Sequence, residues 1–169
     1  MAFDMISFEE RTDVWGTYKE WRRRGVFHRE NDMPAVEFIP HSNIERDDNF
    51  PRREWWYNGE RHRENDLPAI VYGDGIAKEW WHRNKRHRPM NRPAIVRSFQ
   101  YSYLLYGDTY YYNGELHRDD GGPACMPQPI EWNQWYIRGE CYPEEVALFI
   151  INRENRLARG AVNRWRASH

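Results

Sequence analysis

The sequence predicts an all-β repeat protein: a single-layer, twisted antiparallel sheet of stacked hairpins, elongated along the stacking direction and capped by a C-terminal α-helix. Three observations lead there. A hairpin signature, EWWYNGERHRENDLPAIVY from Glu54 to Tyr72, contains Asn58-Gly59 between β-formers, the pair that best supplies the two positive φ angles of a type I′ turn. The signature recurs along the chain. After Pro143 the apolar spacing changes from two residues to three or four.

The recurrence is positional. Moving 25 residues on from Glu54, Trp55, His62, Arg63, Pro68 and Ala69 gives Glu79, Trp80, His87, Arg88, Pro93 and Ala94. Moving 34 back gives Glu20, Trp21, His28, Arg29, Pro34 and Ala35. A further 30 from the third copy reaches Tyr110, His117, Arg118, Pro123 and Ala124, with Thr109 in place of Glu and a turn at Asn113-Gly114. Another 25 gives a partial copy, with Trp135 and the turn Arg138-Gly139, in which Tyr142 and Pro143 replace His-Arg.

A turn centred on Asn58-Gly59 pairs Tyr57 with Glu60, Trp56 with Arg61, Trp55 with His62 and Glu54 with Arg63. The same rule sets Glu20 against Arg29 and Glu79 against Arg88. Because side chains alternate along a strand, Trp21, His28, Trp55, His62, Trp80, His87, Tyr110, His117, Trp135 and Tyr142 share one face. That face is expected to be the structural core of the repeats, each His stacking on its cross-strand Trp and bonding to the neighbouring turn. The opposite face carries Trp56, Arg61, Trp81, Arg86 and Tyr111, varies more between copies, and is the expected partner-binding surface, since Arg and Trp are enriched at binding hot spots. Arg-Gly at two turns and Arg83-Asn84 at a third suit type I′ less well, and a Gly bulge there would shift the register by one.

Residues Met1 to Thr17 hold Phe3, Ile6, Phe8 and Trp15 among acids and are expected to cap the first edge of the sheet, as helix or strand. The five repeats occupy 18–143. Two insertions interrupt them: a polar, proline-flanked one from Pro40 to Arg52, and an aromatic one from Phe99 to Asp108 expected to add a strand or a contact patch. Each Pro before the third strand removes a donor and so marks where pairing begins. From 144 to 169, Glu144 and Glu145 suit a helix start, and Val146, Phe149, Ile150, Arg153, Leu157, Ala161 and Trp165 follow at helical spacing. This amphipathic helix, with a break expected near Asn152 to Asn155, should pack its apolar stripe on the last hairpin.

The 169-residue chain suits one domain. Aromatic residues make up 16% and charged residues 30%, so the apolar material sits in a few large rings, as a thin sheet requires. A net charge of −1 gives no global attraction to nucleic acid. The first twenty residues contain Asp4, Glu9, Glu10 and Arg11 and no apolar signal core, and the longest apolar run, Val146 to Ile151, is far too short to span a bilayer. An unsecreted protein with reduced Cys125 and Cys141 is expected.

Four repeated histidines invite a metal reading. Equivalent positions two or three strands apart lie roughly 10 to 14 Å from one another, whereas zinc ligands sit about 2 Å from one ion, so neither a metal nor any other cofactor is expected. The acids recur with the repeat, as structural residues do, and GxSxG, HExxH and a phosphate-binding Gly loop are absent from the sequence; catalysis is not expected. Arg153, Arg156, Arg159, Arg164 and Arg166 against Glu154 give that stretch a charge of five minus one, plus four. Nucleic-acid binding is therefore a rival to protein contact, but a solvated basic face is favoured.

The unit Trp55-Trp56-Tyr57-Asn58-Gly59, His62-Arg63, Pro68-Ala69, with its counterparts from Tyr18 to Pro143, resembles the MORN-type hairpin repeat in the divergent form found in proteins of large DNA viruses of amoebae. The glycines usual in the second half of a MORN unit are mostly missing here. The resemblance implies a non-enzymatic scaffold working by protein–protein contact, placed in the virion or the host cytoplasm. For a small chain it implies a minor capsid or cement protein whose partners are other virion proteins, with self-association through edge strands. The alternatives are a soluble adaptor, or an antitoxin-like inhibitor of a single partner.

Overall fold

The computed structural model describes residues 5–41, 51–73, 75–97, 106–127 and 133–167. An antiparallel β-hairpin sheet and one C-terminal helix make up the fold. The strands are β1 (Ile6–Thr12), β2 (Gly16–Arg23), β3 (Val26–Phe27), β4 (Val36–Pro40), β5 (Arg52–Glu54), β6 (Trp56–Tyr57), β7 (Glu60–Arg61), β8 (Ile70–Tyr72) and β9 (Ala77–Glu79). They continue as β10 (Trp81–His82), β11 (Lys85–Arg86), β12 (Ile95–Arg97), β13 (Tyr106–Thr109), β14 (Tyr111–Tyr112), β15 (Glu115–Leu116), β16 (Cys125–Pro127), β17 (Trp135–Ile137) and β18 (Glu140–Tyr142), followed by α1 (Glu144–Ala167).

A meander in the order β1-β2-β4-β5-β8-β9-β12-β13-β16 forms the main sheet. Short hairpins, β6-β7, β10-β11, β14-β15 and β17-β18, stand outside it. In the second, third and fourth repeats the strand divides at the first aromatic, whereas β2 runs on through Trp21 to pair with β3. Glu54 pairs with Ile70 on one side and Val36 on the other, the Trp55 N–H turns to the Ala69 carbonyl at 2.8 Å, and only then does Trp56 pair with Arg61 and Tyr57 with Glu60. The pairing expected for Trp56 and Tyr57 therefore holds, but Glu54 does not face Arg63. A backbone bond of 3.2 Å from His62 N–H to the Trp55 carbonyl closes the hairpin base.

At the dividing point the chain needs a small side chain. Ala35, Ala69, Ala94 and Ala124 are each wholly buried, bonded through both backbone groups to neighbouring strands; Ala69 N–H, for example, donates to the Glu79 carbonyl at 2.8 Å. Trp55, Ala69 and Val71 pack together, with Trp81 against them.

All five hairpin turns keep the two-residue geometry. Arg24, Arg83 and Arg138 take left-handed φ angles of 50°, 47° and 51°, as Asn58 and Asn113 do at 48° and 52°. His82 pairs with Lys85 and Ile137 with Glu140, so no bulge shifts the register in these turns. A bond from each neighbouring hairpin holds the strained residue's turn: Asn84 N–H donates to the Arg61 carbonyl at 3.1 Å and Gly139 N–H to the Leu116 carbonyl at 2.9 Å.

The N-terminal segment is a strand. β1 pairs with β2 from Ile6–Arg23 to Thr12–Thr17 and forms the first edge of the sheet, with Phe8 against Trp21 at 5.0 Å between ring centroids. Of the polar insertion from Pro40 to Arg52, residues 42–50 lie outside the described residues, and of the aromatic one from Phe99 to Asp108, residues 99–105; Tyr106–Asp108 belong to β13. Helix α1 runs unbroken through Asn152–Asn155, because two asparagines flanking Arg-Glu lower helix propensity without interrupting the backbone bonds. Ala147 and Ile151 pack on Ile137, with Trp135, Tyr142 and Ile150 around them. Beyond that the stripe is uncovered, with Leu157 and Trp165 each 63% exposed. The helix thus caps the last hairpin through its first two turns, as the spacing predicts, with the later part of its stripe more exposed. Both cysteines are free thiols, Cys125 buried and Cys141 exposed.

Candidate protein-contact surfaces

The repeated polar residues build the junctions between repeats. In the turn Glu30-Asn31-Asp32-Met33, Asn31 and Asp32 have φ of 58° and 53°, and Met33 N–H donates to the Glu30 carbonyl at 3.2 Å, a second I′ turn. This geometry points Asp32 at the next repeat. Its carbonyl accepts the Trp55 indole N–H at 2.9 Å, and its carboxylate accepts Arg63 Nε and Nη2 at 2.8 Å each. Arg63 lies over the Trp55 ring at 3.8 Å and donates to the Pro68 carbonyl at 3.2 Å. One junction on, Asp66 accepts Trp80 Nε1 at 2.8 Å on its carbonyl, and Arg88 at 3.0 and 3.1 Å on its carboxylate. The hydrogen bond from Arg63 holds the Asp32 carboxyl below the usual carboxylate range, and that from Arg88 does the same for Asp66.

The group that covers Trp21, Trp55, Trp80 and Tyr110 is therefore a guanidinium and not the cross-strand imidazole. Arg29 lies over Trp21 at 3.6 Å, Arg88 over Trp80 at 3.7 Å and Arg118 over Tyr110 at 4.1 Å. Each His instead reaches forward. His28 Nδ1 accepts Asn58 N–H at 3.0 Å, His87 accepts Asn113 N–H at 3.2 Å and His117 accepts Arg138 N–H at 3.2 Å, so the expected bond to the neighbouring turn is present. An accepting Nδ1 leaves the proton on Nε2, which in His117 faces Asp119 at 2.5 Å. His62 departs from the pattern: its buried Nδ1 meets no hydrogen-bond partner among the described residues, while its Nε2 pairs with Glu64 at 2.8 Å and lowers that carboxyl. Burial, helped by nearby His82, pushes the His87 imidazole down.

Glu54 and Glu79 are buried at 4% and 6% exposure and take their partners from the other face. Glu54 accepts Trp56 Nε1 at 3.0 Å and Arg61 Nε at 3.3 Å, and Arg52 lies 2.6 Å away. Glu79 accepts Trp81 Nε1 at 3.0 Å and Arg86 Nε at 3.2 Å. These carboxylates are the feet of a ladder. Arg61 stands between Trp56 at 4.7 Å and Trp81 at 5.2 Å, and Arg86 between Trp81 at 4.7 Å and Tyr111 at 5.5 Å. Trp56, Arg61, Trp81, Arg86 and Tyr111 thus form one half-buried surface whose geometry is set from below.

Trp55, Trp80 and Tyr110 are buried and His28 wholly so, while Trp21, His62, His87, His117, Trp135 and Tyr142 are half-buried. The residues that sequence reasoning overlooked as linkers are Asp32 and Asp66. The signal for them was the Asn-Asp pair at equivalent places in two turns, each followed in the next repeat by a Trp and an Arg. Two further surfaces are available for contact. One is the outer edge of β1; the other is the exposed half of α1, which sets Leu157, Val162 and Trp165 among Arg153, Arg156 and Arg159.

Among the described residues, no three His, Cys, Asp or Glu side chains converge as metal ligands would. No helix among them is long and apolar enough to cross a membrane. Set against family models, curated proteins and solved structures, the chain matches none.

Proposed function

We propose that this protein is a non-enzymatic scaffold that works through protein–protein contact, a MORN-like repeat array serving as a minor capsid or cement component of a large DNA virus. The observation that carries the scaffold reading is how the repeated polar groups are used. Asp32 and Asp66 bind Trp and Arg of the next repeat, and Glu54 and Glu79 bind Trp and Arg of the ladder. Groups that would otherwise be candidates for acid–base chemistry are committed to holding an interface in shape. The virion assignment rests on the resemblance of the repeat unit, and its partners are other virion proteins.

Quantitative mass spectrometry of gradient-purified particles against the soluble fraction tests the assignment. Enrichment at a fixed ratio to the main coat protein is the expected result. Recovery in the soluble fraction alone overturns the virion assignment and points to an adaptor or inhibitor, to be sought by pull-down. One observation favours a second reading, nucleic-acid binding through α1: Arg153, Arg156 and Arg159 are exposed on the same helix as Trp165. Its signature is affinity for single strands that falls steeply with salt.

A further inference from the structure

One cleft is built three times. Between the first and second repeats, Asp32 and Met33 face Tyr57 and His62 across it. Between the second and third, Asp66 and Leu67 face His82 and His87. Between the third and fourth, Asn91 and Arg92 face Tyr112 and His117. The first two share Arg63, Glu64 and Asn65 as a common wall and so lie side by side, and His87 and Pro89 of the second flank Arg88 of the third.

The projecting rings mark successive positions along this furrow. Tyr57 is 56% and Tyr112 51% exposed. Tyr57 is braced on His28 at 5.0 Å, His82 on His62 at 4.6 Å, and Tyr112 on His87 at 4.9 Å. Exposed carboxylates lie beside them: Glu30, Glu64 and Asp119, whose side chains are 57%, 75% and 62% accessible. Arg63 and Arg88, the cations deepest in the clefts, are already held by Asp32 and Asp66. The clefts therefore offer ring faces and, beside His82 and Tyr112, the carboxylates of Glu64 and Asp119, while Glu30 is paired with Arg23 and Arg92 shares Asp66 with Arg88.

Its period selects the ligand's conformation. β2, β5, β9 and β13 open successive repeats, and one strand separates each from the next in the sheet. Two strand spacings of about 4.8 Å set the cleft repeat at about 9.6 Å. A polyproline II helix advances about 3.1 Å per residue with three residues per turn, about 9.3 Å per turn. Across the two steps joining three clefts the mismatch is about 0.6 Å, well within side-chain adjustment. A β-strand fails because alternate side chains point away, so every third residue changes face. An α-helix fails too, since two of its turns cover about 10.8 Å and the error grows with each cleft.

We infer that the furrow is a track for a proline-rich peptide in the polyproline II conformation, flanked by Lys or Arg, with every third residue seated against Tyr57, His82 and Tyr112 in turn. Aromatic-lined grooves suit such peptides because the chain is already extended and loses little entropy on binding. The inference rests on the protein-contact reading above and specifies the partner's chemistry.

Fluorescence anisotropy of the full chain with labelled peptides tests it. The probes are runs of three, six and nine prolines between lysines, and a Gly-Ser peptide of the longest length with the same lysines. The expected result is affinity rising about fivefold or more with each added three prolines, and the nine-proline peptide binding at least about tenfold tighter than Gly-Ser. The double variant Tyr57→Leu/Tyr112→Leu should lose at least about tenfold in affinity at an unchanged melting temperature. Should that variant fold poorly, chemical-shift mapping on the unmodified chain decides, with the Tyr57 and Tyr112 ring protons expected to move. Equal binding of the Gly-Ser peptide, full binding by the folded double variant, or shifts confined to other surfaces overturns the inference. Peptide failure alongside particle enrichment removes only the track; peptide binding alongside purely soluble recovery removes only the virion assignment.

Discussion

Asp32 holds Arg63 of the following repeat through both carboxylate oxygens, at 2.8 Å each, while its own carbonyl takes the Trp55 indole N–H at 2.9 Å. One residue thus fixes the position of the next repeat's ring and of the cation that covers it. A double-mutant cycle with Asp32→Asn and Arg63→Gln should give a coupling energy of about 1 kcal/mol, kept modest by the half-exposed carboxylate. The same cycle on Asn91 and Arg118 should give none, because Arg118 binds Asp120 of its own turn. Urea denaturation of the four variants in each cycle measures both.

Acid should weaken the array in two stages. His87 has a folded pKa below its ordinary value because of burial and His82, so its contribution is full above about pH 6.5 and is lost as the pH falls through the folded value. Asp32 and Asp66, lowered by Arg63 and Arg88, contribute fully above about pH 4 and lose that contribution as the pH falls through their folded values. Melting temperature followed from pH 8 to pH 2 should show both declines, with His87→Gln removing the upper and Asp66→Asn reducing the lower.

At the alkaline end Tyr72 sets a limit. Burial and the nearby Glu79 push its phenol up to about 12. A raised folded pKa stabilises fully below the ordinary value near 10 and ceases to do so as the pH rises through the folded one. Tyr72→Phe should flatten the loss of stability between these values in a spectroscopic titration.

The two faces should differ in cost. Trp55→Ala or Trp80→Ala removes a buried ring together with its bond to the preceding turn, and should cost about 3 to 5 kcal/mol or unfold the array. Trp56→Ala should cost less, about 2 kcal/mol, from the lost ring contacts and the donor removed from buried Glu54. Equal losses in denaturant would refute the division into faces.

A gain is expected at Arg83, which holds a φ of 47° without the short polar side chain that eases this conformation. Arg83→Asn should stabilise by about 0.5 to 1 kcal/mol, seen as a raised melting temperature.

The hairpin positions and their short-range pairing were legible because Asn-Gly at Asn58 and Asn113 announces the turn and side-chain alternation does the rest. Glu54 and Arg63 were not. Extending the hairpin past Trp55 puts them opposite each other, but the Trp55 N–H leaves for Ala69 and delivers Glu54 to the main sheet instead. The stacking partner of Trp55 was missed for a related reason, since a flexible Arg reaches the ring from outside while His62 is turned towards the next hairpin. Turns at Arg83 and Arg138 read poorly because local propensity was overruled by bonds between hairpins, which no single repeat contains, and at Arg24 the Arg22 guanidinium holds the turn by donating to the Gly25 carbonyl at 3.2 Å. On the candidate contact surface, the Trp and Arg positions could be named from alternation, but their mutual spacing and their carboxylate feet belong to the stacking of one repeat on another.

The junction between the third and fourth repeats lacks both halves of the clasp. Asn91 stands where Asp66 stands one repeat earlier and accepts the Asp119 backbone N–H at 3.0 Å, and Tyr110 brings no indole to donate. What crosses there is the His87–Asn113 bond at 3.2 Å, Arg86 over Tyr111, Tyr112 on His87, and backbone bonds such as Gly114 N–H to the Arg86 carbonyl at 2.8 Å. Under a pulling force along the stack, or in a protease digest, this is the seam where the molecule should part, leaving a three-repeat block on one side and the helix-bearing block on the other. A mechanical fuse at a fixed place lets one half yield while the other keeps its grip.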